Sequence, residues 1–307
     1  MRKESKHCWM GRSVFLLISL ALFAPAEAII VGGTSGTGNN NAGQTSLDDY
    51  ISTAGLPSFG YWDNLVQVSN ASGVYLGYNE TSMTGWVLSA NHISPEPISI
   101  TIGASTYMVS GTGTQIGSTD LILYEIGGLG DPSLPTLPPV TLATVAASSG
   151  EFLLMTGRGF TASSSYPYPW SDPGFDPANA NRWGTNEVEF NTTVSGNQYI
   201  ITDFDHPSSA DATAFEGQGS LGDSGGGIFI LRGGEWILSG TAHFVDDGLG
   251  DDGTVNPSEY GDFTGYTDIS VYVSEINAVT GTLVPEPSLA MLLPLAGAGM
   301  VLRRRRS

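Results

Sequence analysis

The stretches "NLVQVS", "GVYLGY", "GWVLSA", "ISITIG", "TYMVSG" and "TDLILYEI" follow one another between residues 64 and 126, each a few apolar residues long and each bounded by Gly, Ser, Asn or Asp. No run here is long enough for a helix face. Short runs closed by turn formers are the signature of strands joined by tight connections. The pattern resumes as "FLLMTGRG", "NEVEFNTTV", "NQYIITDF", "GGGIFILRG" and "EWILSGTAHFV" between residues 152 and 245. Between the two series, "GDPSLPTLPPVTLAT" places Pro132, Pro135, Pro138 and Pro139 in one stretch, which suits an extended connector. Only "TDISVYVSEINAV" carries helical spacing, with Ile269, Tyr272, Val273 and Ile276 at i, i+3, i+4, i+7. The expectation is an all-β body in two halves, closed by one helix.

Both ends read as addressing segments. Arg2, Lys3, Lys6 and Arg12 precede an apolar run from Val14 to Ala24, and Ala26-Glu27-Ala28 offers small residues for cleavage. The run is shorter than the roughly 20 residues that span a bilayer. Residues 1–28 are therefore expected to be a signal peptide. At the other end, a Val-Pro-Glu-Pro turn, an apolar stretch from Leu289 to Leu302 and Arg303 to Arg306 resemble the PEP-CTERM sorting tail of Gram-negative bacteria. That resemblance implies an exosortase-type processing enzyme as partner and transient membrane association through 284–307. It also implies secreted or cell-surface localisation. The plain alternative is a lasting C-terminal anchor.

Without those ends the body keeps three cations, Arg158, Arg182 and Arg232, against 27 acidic residues, a net charge of −24 with no lysine. A body so negative repels nucleic acid and anionic membranes. The sole cysteine, Cys8, lies in the leader. Stability must come from packing and hydrogen bonds, and neither a cysteine nucleophile nor a thiolate metal site is available.

The stretch "GQGSLGDSGGGIFIL" (217–231) sets six glycines around Ser224. Glycine lets a hydroxyl protrude and leaves backbone N–H groups free for an oxyanion. Gly222-x-Ser224-x-Gly226 also fits the hydrolase nucleophile elbow, but an elbow leads into a helix and "GGIFIL" reads as a strand. A base must come from His92, His206 or His243. His92 ends "WVLSANHI", His206 sits in the loop "DFDHPSS", and His243 lies in the strand "SGTAHFV". Asp120 stands directly before an apolar strand, a costly place for a carboxylate without a partner. A turn role at the strand start is the alternative.

Together these stretches resemble the chymotrypsin/trypsin family of serine proteases, in family order from residue 29 to 277. "IIVGG" is similar to the mature N-terminus, "WVLSANHI" to the histidine segment, "TDLILYEI" to the aspartate segment and "GDSGGG" to the serine segment. "LPPVTLAT" is similar to the interdomain connector. The resemblance implies two antiparallel six-stranded β-barrels, at 29–130 and at 144–283 with a C-terminal helix, joined by a connector at 131–143. It implies His92, Asp120 and Ser224 as catalytic residues, an oxyanion hole from Gly222 and Ser224, and Asp223 as partner of a new N-terminus at Ile29 or Ile30. Gln218, Val245 and Thr264 would form the specificity pocket, with Gln218 at its floor disfavouring an Arg/Lys side chain. The substrate would be a protein or peptide, with no cofactor and no metal. Departures are Asn91 beside the histidine, Ile93 and Ser220 where half-cystines are common, and His243 where a serine near the aspartate is usual. Two other functions stay open: a non-catalytic protease-like binding or structural module of the extracellular matrix, and an esterase using the same acyl-enzyme chemistry. "DDGLGDDG" (246–253) offers carboxylates for calcium or is simply a solvated turn.

Overall fold

The computed structural model describes residues 29–32, 43–93, 98–109, 111–128, 131–159, 161–162, 170–171, 181–246 and 258–283. The expected signal peptide (1–28), the sorting tail (284–307), residues 247–253 of the acidic run and most of the aromatic stretch 163–184 lie outside them.

Two antiparallel sheets of seven strands each make up the body. The first runs, neighbour to neighbour, Ser105–Met108, Ser99–Ile102, Leu65–Val68, Ala71–Asn79, Thr84–Ala90, Leu121–Ile126 and Thr114–Gln115. The second runs Arg182–Glu187, Phe152–Gly157, Gly227–Arg232, Glu235–Asp246, Phe263–Asp268, Asn197–Asp203 and Phe190–Val194. Seven strands, against the expected six, arise partly because two-residue Thr114–Gln115 pairs with Leu121–Ile126 at one edge.

Period-2 alternation decides what each strand face touches. Val74, Leu76 and Leu88 pack with Leu154, Phe229 and Leu238 of the second sheet in one shared core. Their chain neighbours Tyr75 and Val87 turn to the opposite face, with Val66, Val68, Ile100 and Tyr124. In the second sheet Leu153, Met155, Ile228 and Ile230 likewise form a separate interior. Burying each large apolar side chain is worth about 1.5–3 kcal/mol, which is how such a body does without disulfides.

The connector is tied to both sheets. Val140 N–H donates to Leu76 O (2.9 Å), and Ala143 N–H to Leu238 O (2.9 Å). Near the C-terminus a 3₁₀ turn, Ile269–Val271, leads into the helix Val273–Thr280, matching the expected element with a break at Tyr272. The turn begins where Asp268 accepts a bond from Ser270 N–H.

A second helix, Gln44–Ala54, was not anticipated. Its buried face is only Leu47 and Ile51, one turn apart, and Gly55 closes it at φ 68°. So sparse a stripe gives a weak periodic signal. Among the described residues no helix is long and apolar enough to cross a membrane.

Candidate active site

Three local devices place three side chains in one cleft. The strand Thr84–Ala90 ends in a 3₁₀ turn, Asn91–Ile93, which lifts His92 off the sheet. Asp120 ends a turn tightened by Thr119, whose Oγ1 donates to Ile116 O (2.8 Å) and accepts from Leu121 N–H (3.0 Å). Because Leu121 pairs with Ala90, the two strand ends meet, and Asn91 N–H donates to Asp120 O at 2.6 Å. The third device is the turn Gly222-Asp223-Ser224, with Gly222 at φ 90° and Gly225 at φ 80°. A Cβ on Gly225 would lie 2.2 Å from Ser89 Oγ and 2.4 Å from Ser72 O, so no larger residue fits there.

The resulting geometry is a continuous relay. Asp120 Oδ1 accepts the backbone N–H of His92 at 2.9 Å, and Oδ2 meets His92 Nδ1 at 2.7 Å. The other ring nitrogen, Nε2, lies 2.8 Å from Ser224 Oγ. A carboxylate bonded to both the backbone and the ring of the same histidine fixes that ring's position and its tautomer. Ser224 is buried, while the His92 side chain keeps 29% of its surface open to solvent.

Of the other two histidines, His206 is exposed and bonds Ser208 Oγ through Nδ1 (2.8 Å), away from the relay. His243 joins it. The ladder between Glu235–Asp246 and Phe263–Asp268 pairs Ala242 with Tyr266 and Phe244 with Gly265, leaving His243 as the extra residue of a bulge. Its Nε2 lies 3.6 Å from Asp120 Oδ2, and its ring stacks between His92 (5.6 Å, 29°) and Tyr199 (5.3 Å, 29°). Desolvation lowers the His243 pKa, Asp120 partly restores it, and His92 lowers it further.

Asp223, beside the serine, is buried and accepts from Ser220 N–H (3.0 Å) and Gly159 N–H (3.4 Å). Among the described residues no cationic nitrogen lies within 4.0 Å of it. Burial raises its pKa to about 8; those N–H bonds and the more distant Arg182 pull it partly back. Ile29 and Ile30 are buried, with Ile30 paired to Gln218, five residues before Asp223.

Beside Ser224 is a small, solvent-open hollow whose lining includes Asp223 and His243 as well as Gly219, Ser220, Phe244, Val245 and Thr264. Gln218, expected at its floor, is not among them. It belongs to the two-residue strand Gly217–Gln218 held against Ile30–Val31 and is buried there. Gly219 takes the wall instead, donating its N–H to Thr264 Oγ1 at 3.0 Å.

One organising residue went unread in the sequence. Ser72, on Ala71–Asn79 of the first sheet, donates its Oγ–H to Gly222 O (2.6 Å) and its N–H to Ser224 O (3.0 Å). It also accepts Arg158 N–H at Oγ (2.9 Å) and Ser89 Oγ–H at its carbonyl (2.6 Å). Ser72 therefore ties the Ser224 turn to the other sheet. A serine inside an ordinary strand run gives no local sign of this.

Two seven-stranded sheets with this cleft between them make a chymotrypsin-like two-barrel fold. No family model and no curated protein matches the sequence. Among solved structures, the serine protease neuropsin of mouse brain aligns at 15% identity over 73% of this chain and 97% of its own, with a TM-score of 0.48. A kallikrein-related peptidase 10 complexed with Zn²⁺ aligns at 16% over 72% and 97%, TM-score 0.46. The Rv3671c protease in an inactive form aligns at 11% over 80% and 99%, TM-score 0.45. Similarity at this level says nothing of activity; the chemistry of the site rests on its own atoms.

Proposed function

We propose that the chain is an exported serine endopeptidase. The observation that carries this reading is the unbroken relay from Ser224 Oγ through His92 (2.8 Å) to Asp120 (2.7 Å). Ser224 Oγ would attack the scissile carbonyl as His92 Nε2 takes its proton. His92 then returns that proton to the leaving amine, while Asp120 stabilises the imidazolium. Water repeats the sequence on the acyl-enzyme and frees the acid. Among the described residues the N–H groups of Gly222 and Ser224 donate no hydrogen bond, which suits them to hold the oxyanion.

The substrate class follows from the cavity. Besides Asp223 and His243 its lining is uncharged, with Gly219, Ala242, Phe244, Val245 and Thr264, and so small a hollow favours a small neutral side chain before the scissile bond. Export and tail processing are proposed on the composition of 1–28 and 284–307. The decisive test is a fluorophosphonate probe on the processed protein with profiling on a peptide library. The expected result is labelling at Ser224 and cleavage after small neutral residues. In Ser224→Ala, labelling should vanish and kcat fall on the order of 10⁶-fold. A folded, processed protein that neither labels nor cleaves would leave the domain as a binding module.

A further inference from the structure

Three groups converge on one point beside the relay. His92, Asp120 and His243 each offer a ligand atom, and all three atoms lie within 4.8 Å of one another. Two of the separations run to a shared oxygen, Asp120 Oδ2, at 2.7 Å from His92 Nδ1 and 3.6 Å from His243 Nε2. A tetrahedral ion with ligand bonds of about 2.0–2.1 Å needs its ligands about 3.3 Å apart, so these distances bracket the requirement. The bulge at His243 and its stack against Tyr199 hold the third ligand in place. Two imidazoles and one carboxylate suit a borderline divalent cation such as Zn²⁺, not Ca²⁺ or Mg²⁺, which take all-oxygen sets. A body of net charge −24 draws cations toward such a point.

We propose that His92, Asp120 and His243 form a reversible, inhibitory Zn²⁺ site. Its effect on hydrolysis rests on the reading of the relay as catalytic; the binding itself does not. The proton balance explains the inhibition. In the working state the neutral His92 ring carries its proton on Nδ1, toward Asp120, and Nε2 offers a lone pair to Ser224. The ion takes the Nδ1 lone pair, and the proton moves to Nε2. Ser224 Oγ then faces an N–H and loses its base. No proton is gained or lost by the ring, and removing the ion reverses the shift.

The test is calorimetric titration of ZnCl₂ into the full processed chain carrying Ser224→Ala, so that binding is read without turnover. One ion should bind, with affinity about tenfold or more weaker after His243→Ser and unchanged after His206→Ser. Co²⁺ in place of Zn²⁺ should give the visible absorption of a four-coordinate N/O site, absent in His243→Ser. In the active chain Zn²⁺ should suppress hydrolysis and a chelator restore it. Failure to bind, or equal binding by His243→Ser, overturns the site even if the protein cleaves peptides. Binding that depends on His243 in a protein that hydrolyses nothing upholds the site and overturns the protease reading instead.

Discussion

The ring of His243 lies stacked on that of His92, 5.6 Å between centroids, and both present a nitrogen to Asp120 Oδ2. The carboxylate is thus the fixed point of the cleft, because Oδ1 is already engaged by His92 N–H. Asp120→Asn tests what that point does. The amide oxygen keeps the backbone bond, which turns the NH₂ toward the ring, and His92 must then accept at Nδ1 and carry its proton on Nε2. The expected outcome is a loss in kcat on the order of 10⁴ with little change in Tm. Retained turnover would show that the relay is not the working machinery.

Among the described residues Asp223 is buried with no cationic nitrogen within 4.0 Å, and we propose that it receives a new α-ammonium when the chain upstream of Ile29 or Ile30 is removed. An α-ammonium released at Ile29 or Ile30 fits, since both residues are buried beside the strand that leads to Ser224. Mass spectrometry of the active protein should find one of these as its first residue, and a chain extended upstream should be about tenfold or more slower. Full activity with a longer N-terminus would sink the idea.

Ser72 makes the Ser224 turn depend on the first sheet. Ser72→Ala removes the donor to Gly222 O and the acceptor of Arg158 N–H, at a cost of about 1–3 kcal/mol for buried groups left unpaired. We expect a lower Tm and a fall in kcat larger than any rise in KM, because the Gly222 N–H is displaced while the substrate pocket is not. A change in KM alone would contradict this.

What could be read from the sequence follows the range of the interactions that fix each feature. "GDSGGG" is a local turn, and its glycines are required by the positive φ of Gly222 and Gly225, so the stretch announces itself. His92 and Asp120 are legible because each adjoins an apolar strand end. His243 is different. Only the family-like position, where a serine near the aspartate is usual, marks it as a second contact to Asp120 or to substrate; the bulge against Phe263–Asp268, a strand some twenty residues downstream, has no signature in "SGTAHFV" itself. Gln218 is likewise set by a distant partner. Counting six residues back from Ser224 places it at the pocket floor, whereas pairing with Ile30, nearly two hundred residues upstream, fixes it in another strand. Spacing carries local turns and loses long-range register.

The acidic second sheet makes stability rise as pH falls. Burial raises the Glu216 pKa to about 8, against the opposing bonds from Thr213 N–H and Oγ–H (2.7 Å each). Burial, with repulsion from Asp205 and Glu189, raises that of Asp203 to about 6. Both carboxyls hold protons more tightly folded than unfolded. Their contribution is therefore complete below the unfolded values near 4 and is lost as pH climbs through 6 and then 8. On a Ser224→Ala background, which prevents self-cleavage, Tm should be several degrees higher at about pH 5 than at about pH 9. Glu216→Gln keeps an acceptor for Thr213 but cannot ionise, so it should flatten the upper part of that slope. An unchanged slope in Glu216→Gln would assign the pH dependence to other groups.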